Sequence, residues 1–300
     1  MSDKKVVAFD ATLLSSLQAC PRMTDFRFNR NLVSLEGKSN SLECGSLVHI
    51  ILEYFNKATI AGKSRVAAIE EGFIAGKEYR NGYLPSNLFV KDENEKGMVN
   101  TPDDSDSRNL GYNFVLQTME EYFDYWKNDS FTTVTAEEVR GEVIYEDESL
   151  IVLWKAKFDS IVDTPQGFIS KDYKTMKQRR DTISLNNQFM GQAVLLKARN
   201  VMVDKIGFQK SLKVEEKFSR VLVSYSMDRL LEWKNTVVPH YAHMLLAYSE
   251  ADHFPPNFTH CENKYGYCTF KEVCEYDRNM RDEVLARNFK PGKVWDVLND

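Results

Sequence analysis

Two aspartates and a lysine are spaced so that a β-hairpin would bring them together. They lie within residues 153–175, where apolar and polar side chains alternate on both sides of a turn centred on Pro165–Gln166. Such a turn pairs residues whose numbers sum to 331, so Asp159 faces Asp172 at the ~4.5–5.5 Å Cβ separation of cross-strand neighbours. Lys174 projects from the same face because it lies two residues beyond Asp172.

Facing carboxylates repel each other, and a divalent cation between them removes that cost. Mg²⁺ and Mn²⁺ prefer such hard oxygen ligands, and a metal held there can lower the pKa of a bound water and polarise a phosphodiester. The Lys174 ammonium can orient that water or stabilise charge on the phosphate. The alternative is a surface hairpin with solvated charges. The apolar neighbours favour the rim of an active site; they are Phe158, Ile161, Val162, Phe168 and Ile169.

The order of these residues resembles the signature of the PD-(D/E)XK nucleases. Asp159 followed by the tetrapeptide DYKT (172–175) is similar to the D…(D/E)xK motif, and in particular to the RecB/AddB-type branch, which often reads GxxD and then DYKT. Ala156 stands where that branch usually has glycine. The branch also has a glutamine on the helix after the lysine, which Gln188 matches, but its usual tyrosine four residues later is Gln192 here.

The resemblance implies a site for Mg²⁺ or Mn²⁺ and gives individual residues their roles. The implied catalytic residues are Asp159, Asp172, Lys174, Gln188 and an upstream glutamate, for which we choose Glu138 over Glu137 and Glu142. The implied metal-contacting residues are His49, Asp159, Asp172 and Tyr173.

His49 ends a Gly-Ser-Leu-Val-His segment that resembles the GxxxH motif preceding the nuclease core in the same branch, where the histidine is a metal ligand. Gly45 lies one helical turn earlier and leaves room for a close approach. Imidazole suits manganese better than magnesium. The alternative, which the downstream hairpin disfavours, is a histidine satisfied within the core.

Three of the five cysteines, Cys261, Cys268 and Cys274, crowd into the C-terminal region at a spacing typical of metal ligands. A fourth ligand could be Cys20 or Cys44. Cys20 lies in a QACPR segment that resembles the CPR motif of RecB/AddB-type and CRISPR-associated nucleases. That resemblance implies a four-iron–four-sulfur (4Fe–4S) cluster held by Cys20 and the three C-terminal cysteines, although many members have two residues in the first C-terminal gap where this chain has six. Structural zinc and unligated thiols are the alternatives.

The net charge of −5 gives no global attraction for nucleic acid, so DNA binding must come from local basic patches. Two stretches could contact phosphates. They are Lys171, Lys174, Lys177, Arg179 and Arg180, and Arg22, Arg27 and Arg30. A solvated charged face is the alternative for both. Because no helix-turn-helix or zinc-finger signature is present, we expect binding to DNA ends or single strands without sequence specificity, with a helicase or recombination protein as a further partner.

Hydropathy periodicity predicts helices over 13–19, 42–58, 64–79, 111–128, 185–199 and 227–248, and strands over 139–145, 150–162, 168–173, 201–211 and 220–226. Thr12 is the predicted cap of the first helix, Pro21 its stop, and residues 91–109 a loop. The predicted fold is α/β, a restriction-endonuclease-like mixed sheet flanked by helices. One integrated domain would comprise a helical N-terminal lobe (1–130), the nuclease core (131–226) and a cysteine-rich C-terminal segment (227–300).

The chain contains no run of the ~18 apolar residues that a membrane span needs, and its first residues are polar. We therefore expect a soluble, cytoplasmic protein, and the resemblance to nucleases of bacterial viruses and CRISPR systems suggests a bacterial cell. The expected function is metal-dependent exonucleolytic hydrolysis of DNA in recombination, repair or processing. The alternatives are an endonuclease or end-trimming nuclease with the same site, and a non-catalytic DNA-binding recombination accessory protein with a structural iron–sulfur or zinc site.

Overall fold

A mixed six-stranded sheet carries the fold in the computed structural model, which describes residues 4–35, 40–80, 111–176, 185–209, 211–263 and 266–295. The strands of this sheet are β1 (Lys5–Phe9), β3 (Thr132–Glu146), β4 (Leu150–Thr164), β5 (Gly167–Met176), β6 (Asn200–Gly207) and β7 (Phe218–Ser224). Two short antiparallel pairs lie outside it, formed by β2 (Leu32–Ser34) with β10 (Phe289–Pro291) and by β8 (Glu262–Asn263) with β9 (Gly266–Tyr267).

Strand β4 is the centre of the sheet and has two different partners on one of its edges. Antiparallel β3 lies along its other edge for most of its length. On the shared edge, β1 pairs in parallel with residues 150–154, and β5 pairs antiparallel with residues 160–164. Residues 155–159 therefore lie at a fork, where β4 passes from one neighbour to the next. Beyond β5 the order continues through parallel β6 to antiparallel β7.

Helices cover both faces of the sheet. They are α1 (Ala11–Ala19), α2 (Pro21–Thr24), α3 (Asn40–Ile60), α4 (Arg65–Arg80), α5 (Tyr112–Tyr125), α6 (Asn187–Leu195), α7 (Val214–Lys217), α8 (Met227–Glu232), α9 (Val238–Glu250), α10 (Lys271–Glu275) and α11 (Arg281–Asn288). On one face, α1, α6, α8 and α9 enclose a core around Trp154, Phe158 and Phe189. On the other face, α3, α4 and α5 pack on Tyr173 and Phe218. None of the described helices has the length and apolar character that crossing a bilayer requires.

The prediction of a mixed sheet flanked by helices is confirmed, and most elements lie where periodicity placed them. The first helix is capped by Asp10 instead of Thr12, because the Asp10 carboxylate accepts a 2.7 Å hydrogen bond from the Leu13 N–H. Pro21 ends α1 as predicted, but it also begins α2, since proline fits the first position of a helix. The predicted helix over 227–248 is interrupted by a π-helical turn over Trp233–Val237, just before Pro239, which lacks an N–H.

Strand β1 is absent from the predictions, and it ties the first residues into the main sheet beside β4. The C-terminal residues also contact the N-terminal ones, because Phe26 packs with Phe270, Val284 and Phe289 in a small separate core. The three-part division of the chain stays a prediction. The loop expected over residues 91–109 lies outside the described residues.

Candidate active site

Asp159 lies at the fork of β4, where β5 leaves it. The ladder from Ser160–Lys171 to Thr164–Gly167 has the register that the sequence predicts, so its continuation places Asp159 opposite Asp172. At this point a carboxylate replaces the main chain as hydrogen-bond partner, because the N–H of Tyr173 donates to Oδ2 of Asp159 at 3.0 Å. The other oxygen, Oδ1, lies 3.2 Å from Nδ1 of His49 on α3.

Asp172, Lys174 and Gln188 form a closed triangle of polar contacts on the neighbouring strand and helix. Nε2 of Gln188 donates to Oδ1 of Asp172 at 2.7 Å, and Nζ of Lys174 donates to Oε1 of Gln188 at 2.9 Å. Nζ of Lys174 also lies 2.8 Å from Oδ2 of Asp172. That oxygen is buried and makes no hydrogen bond of normal geometry within the described part of the chain. Gln188 is placed by Asn186, whose side chain caps α6 at the Gln188 N–H.

The electrostatics of the site follow from a buried carboxylate, Asp172, and a half-buried one, Asp159, beside two basic side chains. Burial alone would raise the pKa of Asp159, but the charge and hydrogen bond of His49 outweigh it and hold that pKa at about 2. Burial raises the pKa of Asp172 against the opposing charge of Lys174, and Asp159 adds to the rise. Burial would lower the pKa values of His49 and Lys174, yet the facing carboxylates raise both. The site therefore places each carboxylate beside a basic side chain, Asp159 beside His49 and Asp172 beside Lys174.

Gly45 and Gln192 determine how closely α3 and α6 pack against the strands of the site. A Cβ on Gly45 would lie 3.2 Å from Oγ1 of Thr175, so glycine allows α3 to rest directly on β5. Gln192, at the position where the resembling branch has tyrosine, is fully buried. It accepts a hydrogen bond from Ser170 at 3.0 Å and donates to the carbonyl of Lys157 at 3.2 Å, which fastens α6 to both β5 and β4.

The side chain of Tyr173 lies on the opposite face of β5 from Asp172. Its ring is buried in the core around α3 and α5, and its hydroxyl accepts a hydrogen bond from Asn56 at 3.1 Å. Tyr173 could therefore contact a metal in this site only through its main-chain carbonyl.

The three glutamates considered as the upstream carboxylate have different surroundings. Glu138 pairs with Arg140 and lies opposite Phe158 in the ladder, while exposed Glu142 lies opposite Trp154. Glu137 lies between the pairs Ala136–Ser160 and Glu138–Phe158, and hence beside Asp159, with a left-handed φ of 49°.

Glu137 belongs to a charged cluster on α3 and β4 that the sequence analysis did not identify. Oε2 of Glu137 lies 3.3 Å from Nζ of Lys57, and its other oxygen pairs with Lys157. Glu53, one turn after His49 on α3, pairs with the same Lys57. Burial raises the pKa of Glu53 to about 8, and its hydrogen bond to Glu137 adds to the effect. The four-residue spacing from His49 to Glu53 to Lys57 is a signal that could have identified this face of the helix.

Four cysteines line one pocket between the N-terminal and C-terminal segments. The pocket encloses about 330 Å³ including its open mouth, and Cys20, Cys261, Cys268 and Cys274 share it with apolar side chains such as Met23 and Phe270. Cys44, the other possible fourth ligand, lies on α3 and is instead buried in the core on that face of the sheet. Burial raises the pKa values of Cys261 and Cys268, and the neighbouring thiols add to both. In the described residues, no three His, Cys, Asp or Glu side chains are grouped closely enough to hold one metal ion.

The predicted basic patch after the hairpin is partly wrong. Lys171 is buried, and its Nζ lies 3.5 Å from Asp129 and 3.4 Å from Asp204, so it cannot contact DNA. A buried ammonium needs such partners, and two aspartates from distant segments supply them. Lys177, Arg179 and Arg180 lie outside the described residues.

The other predicted basic stretch lies near the cysteine pocket. Arg27 and Arg30 are both exposed and stack over phenylalanine rings, and Arg30 also pairs with Asp25. Arg22 is half-buried at the start of α2. Exposed guanidinium groups remain near the pocket on this side of the molecule.

Comparison with known proteins gives a family for this arrangement. No curated protein matches the chain significantly. A solved structure entitled "Crystal structure of SSO0001" is similar at 15% identity and a TM-score of 0.25; the match covers 42% of this chain and 61% of that chain, less than two thirds of its length. The family model of the PD-(D/E)XK nuclease superfamily matches residues 9–275, which include both candidate carboxylates, the lysine and all five cysteines. The chain belongs to the PD-(D/E)XK nuclease superfamily.

Proposed function

We propose that this chain is a metal-dependent DNA exonuclease whose active site contains Asp159, Asp172, Lys174 and Gln188, with His49 as a metal ligand. Superfamily membership indicates a nuclease that hydrolyses phosphodiesters. The observation that carries the residue assignment is the convergence of four elements on one fork. Strands β4 and β5 supply facing carboxylates, α3 supplies an imidazole 3.2 Å from one of them, and α6 bridges the other to a lysine.

Two carboxylates and an imidazole are ligand types that suit Mg²⁺ or Mn²⁺, and holding one ion would require these side chains to draw closer together than in the described structure. Asp159 and Asp172 offer hard oxygens, and Oδ2 of Asp172 is buried beside Lys174 without a hydrogen bond of normal geometry in the described residues. The main-chain carbonyl of Tyr173 is a further candidate ligand, and His49 favours manganese. A metal bound there would supply a water of lowered pKa and polarise a phosphodiester oxygen.

The protein's own side chains would position one another and offset the negative charge that develops on the phosphate. Lys174 can direct its ammonium at the attacked phosphate, where it stabilises the negative charge that develops. Gln188 holds Lys174 and Asp172 at fixed separation, so both act from a prepared geometry. Hydrolysis adds water across one P–O bond and leaves a phosphate on one fragment and a hydroxyl on the other.

We prefer Glu137 to Glu138 as the upstream carboxylate. Glu138 is engaged with Arg140, whereas the ladder places Glu137 beside Asp159. Lys57 and Lys157 hold Glu137 at the edge of the site.

We also propose that Cys20, Cys261, Cys268 and Cys274 hold a 4Fe–4S cluster, with zinc as the alternative. Four thiols around one apolar-lined pocket suit a compact multi-iron cluster, which needs no tandem Cys-x2-Cys spacing. A cluster there would join residue 20 to residue 274 and stabilise the contact between the two ends of the chain.

The substrate and partners follow from the resemblance more than from the geometry. We propose DNA ends or single strands, bound without sequence specificity, and a role in recombination, repair or processing beside a helicase or recombination protein. An endonuclease or end-trimming nuclease with the same site is the second candidate. A non-catalytic DNA-binding accessory protein is the third, and the complete carboxylate–lysine–glutamine set argues against it.

The test compares wild type, Asp172→Asn and Asp163→Asn on end-labelled linear DNA and on closed circular DNA with Mn²⁺. Asp163 is an exposed aspartate on the same hairpin and is therefore the matched control. We expect wild type and Asp163→Asn to shorten linear DNA from its ends and leave circles intact, and Asp172→Asn to do neither. Cleavage of circles would select the endonuclease, and folded wild type without activity would select the accessory protein.

A further inference from the structure

The helix that leads into the cysteine pocket also contacts the helix that holds the catalytic glutamine. Helix α1 ends at Ala19, directly before Cys20 in the pocket wall. Two residues before Cys20, Oε1 of Gln18 accepts a 2.7 Å hydrogen bond from Nδ2 of Asn187. Asn187 is the first residue of α6 and the immediate neighbour of Gln188.

The Asn187 amide is held at both of its ends. Nδ2 donates to Gln18 and, at 3.2 Å, to Oγ of Ser15, so it is bound to two positions of α1. Oδ1 accepts a 3.0 Å hydrogen bond from the indole N–H of Trp233. Trp233 is almost fully buried and packs edge-on against Trp154 in the main core, so this end is anchored firmly. The first turn of α6 therefore has one rigid anchor in the core and one on α1.

The same C-terminal end of α1 is also clamped by the C-terminal segment of the chain. Nδ2 of Asn257 donates to the carbonyl of Ala19 at 2.9 Å, and the Asn257 N–H donates to Sγ of Cys20 at 3.3 Å. Asn257 itself lies in the wall of the cysteine pocket. Any change that opens this pocket consequently acts on the end of α1, less than one helical turn from Gln18.

We infer that Gln18 and Asn187 are positioning residues that transmit the state of the cysteine pocket to Gln188, and through it to Lys174 and Asp172. The inference rests on the proposed nuclease function. When the proposed cluster fills the pocket, it holds α1 in place, and α1 holds Asn187. The first turn of α6 then keeps the Gln188 side chain 2.7 Å from Oδ1 of Asp172 and 2.9 Å from Nζ of Lys174. An opened pocket weakens the α1 anchor and leaves the hydrogen bond from Trp233 as the firmer tie of the Asn187 side chain. The state of the cysteine pocket would thus affect the geometry of the catalytic residues as well as the stability of the fold.

The test replaces Gln18 by residues of similar length. Gln18→Met removes the acceptor for Asn187, and Gln18→Glu keeps an acceptor oxygen at the same reach. Hydrogen exchange is followed at the Gln188 and Met190 amides, which bond to Asn186 in the first turn of α6. We expect about fivefold faster exchange in Gln18→Met and rescue to the wild-type rate in Gln18→Glu. We also expect Gln18→Met to lower kcat about tenfold with KM within twofold, because binding groups remain in place.

A second comparison tests the link to the pocket. Cys274→Ser opens the pocket from α10 without touching α1, and should accelerate the same two amides in a wild-type background. In a Gln18→Met background, Cys274→Ser should cause no further increase in the exchange rate, since the hydrogen bond between Gln18 and Asn187 is already lost. If Cys274→Ser does not fold, Asn257→Ala frees α1 while keeping all four thiols.

The two proposals fail in different ways. Equal exchange in Gln18→Met and wild type, or additive effects of Gln18→Met and Cys274→Ser, would overturn the relay whatever the nuclease activity. An inactive wild type whose α6 amides respond as expected would leave the relay intact and overturn the nuclease proposal.

Discussion

Nδ1 of His49 lies 3.2 Å from Oδ1 of Asp159, which joins α3 to β4 at the point where β5 leaves the central strand. The two residues are 110 positions apart in the chain, and Gly45, one turn before His49, lets the helix come this close. The contact places an imidazole nitrogen beside a carboxylate oxygen at the fork of the sheet, and in the proposed metal site this pair of ligands would favour manganese.

We expect His49→Ala to weaken manganese-supported DNA hydrolysis by tenfold or more and magnesium-supported hydrolysis by less. The reason is that imidazole contributes more to Mn²⁺ than to Mg²⁺. The measurement is the initial rate against the concentration of each metal. His240→Ala is the matched control because His240 is exposed on α9, away from the fork. Equal losses with both metals would mean that His49 is not a ligand.

The same substitution at two lysines of β5 should affect two different properties, the catalytic rate at Lys174 and the stability of the fold at Lys171. Lys174→Met is expected to lower kcat by about a hundredfold or more with little loss of DNA binding, because it removes a prearranged cation from the reacting phosphate. Lys171→Met should instead reduce the free energy of unfolding by about 2–3 kcal/mol, because Lys171 is buried between Asp129 and Asp204. Rate assays and denaturant unfolding on both variants check the contrast, which fails if Lys174→Met keeps its rate.

Glu53 should make the protein less stable as the pH rises. Burial and the hydrogen bond to Glu137 raise the pKa of Glu53 to about 8 in the folded state, against 4.5 for a free glutamate. Between pH 5 and 8 the folded state therefore keeps a proton that the unfolded state releases, and stability falls across this window. Each pKa unit corresponds to about 1.4 kcal/mol, so a fall of about 2 kcal/mol or more is expected.

The pH effect is checked by denaturant unfolding from pH 5 to 8. Glu53→Gln should remove most of the decline, because the amide is neutral at every pH and can still donate to Glu137. Glu70→Gln, at an exposed position on α4, should keep the decline of wild type. A Glu53→Gln variant that declines as steeply as wild type would assign the effect to other groups.

The sequence predicted the hairpin well because its determinants are local. Period-two alternation and a Pro-Gln-Gly turn specify the register, and the structure has the predicted pairs from Ser160–Lys171 onwards. The motif then identified Asp172, Lys174 and Gln188, which the fold brings into mutual contact. The resemblance of the QACPR segment to the CPR motif also identified Cys20, which shares its pocket with the three C-terminal cysteines.

The features that the sequence did not predict depend on contacts between distant parts of the chain or on irregularities within a strand. Strand β1 is only five residues long, and it exists because it pairs with residues 150–154, far along the chain. The burial of Lys171 depends on Asp129 and Asp204, which no local pattern connects to it. The choice between Glu137 and Glu138 depends on the register of β3 against β4, which shifts between Thr133 and Thr135 and again between Val143 and Tyr145. Periodicity does not predict such irregularities within a strand.

The cysteine pocket should hold iron, and four particular thiols should be required. We expect Cys20→Ser and Cys261→Ser each to reduce bound iron by at least half and to lower the Tm, because each removes one ligand of the proposed 4Fe–4S cluster. Cys44→Ala should retain iron, since Cys44 is buried in a different core. Elemental analysis for iron and zinc on anaerobically purified protein gives the answer. Stoichiometric zinc in wild type would replace the cluster with the zinc alternative.

Gly191 should be intolerant of any side chain, because it lies against the largest buried ring of the core. A Cβ there would come within 2.1 Å of Nε1 of Trp154, and that ring is fully buried and backed by Trp233. Since neither the ring nor α6 can move freely, Gly191→Ala should cost about 3 kcal/mol of unfolding free energy. Gly141→Ala is the control, because its nearest neighbour would be 3.9 Å away, and its effect should stay within about 0.5 kcal/mol. Denaturant unfolding compares the two variants, and a tolerated Gly191→Ala would mean that α6 packs less rigidly on β4 than this geometry requires.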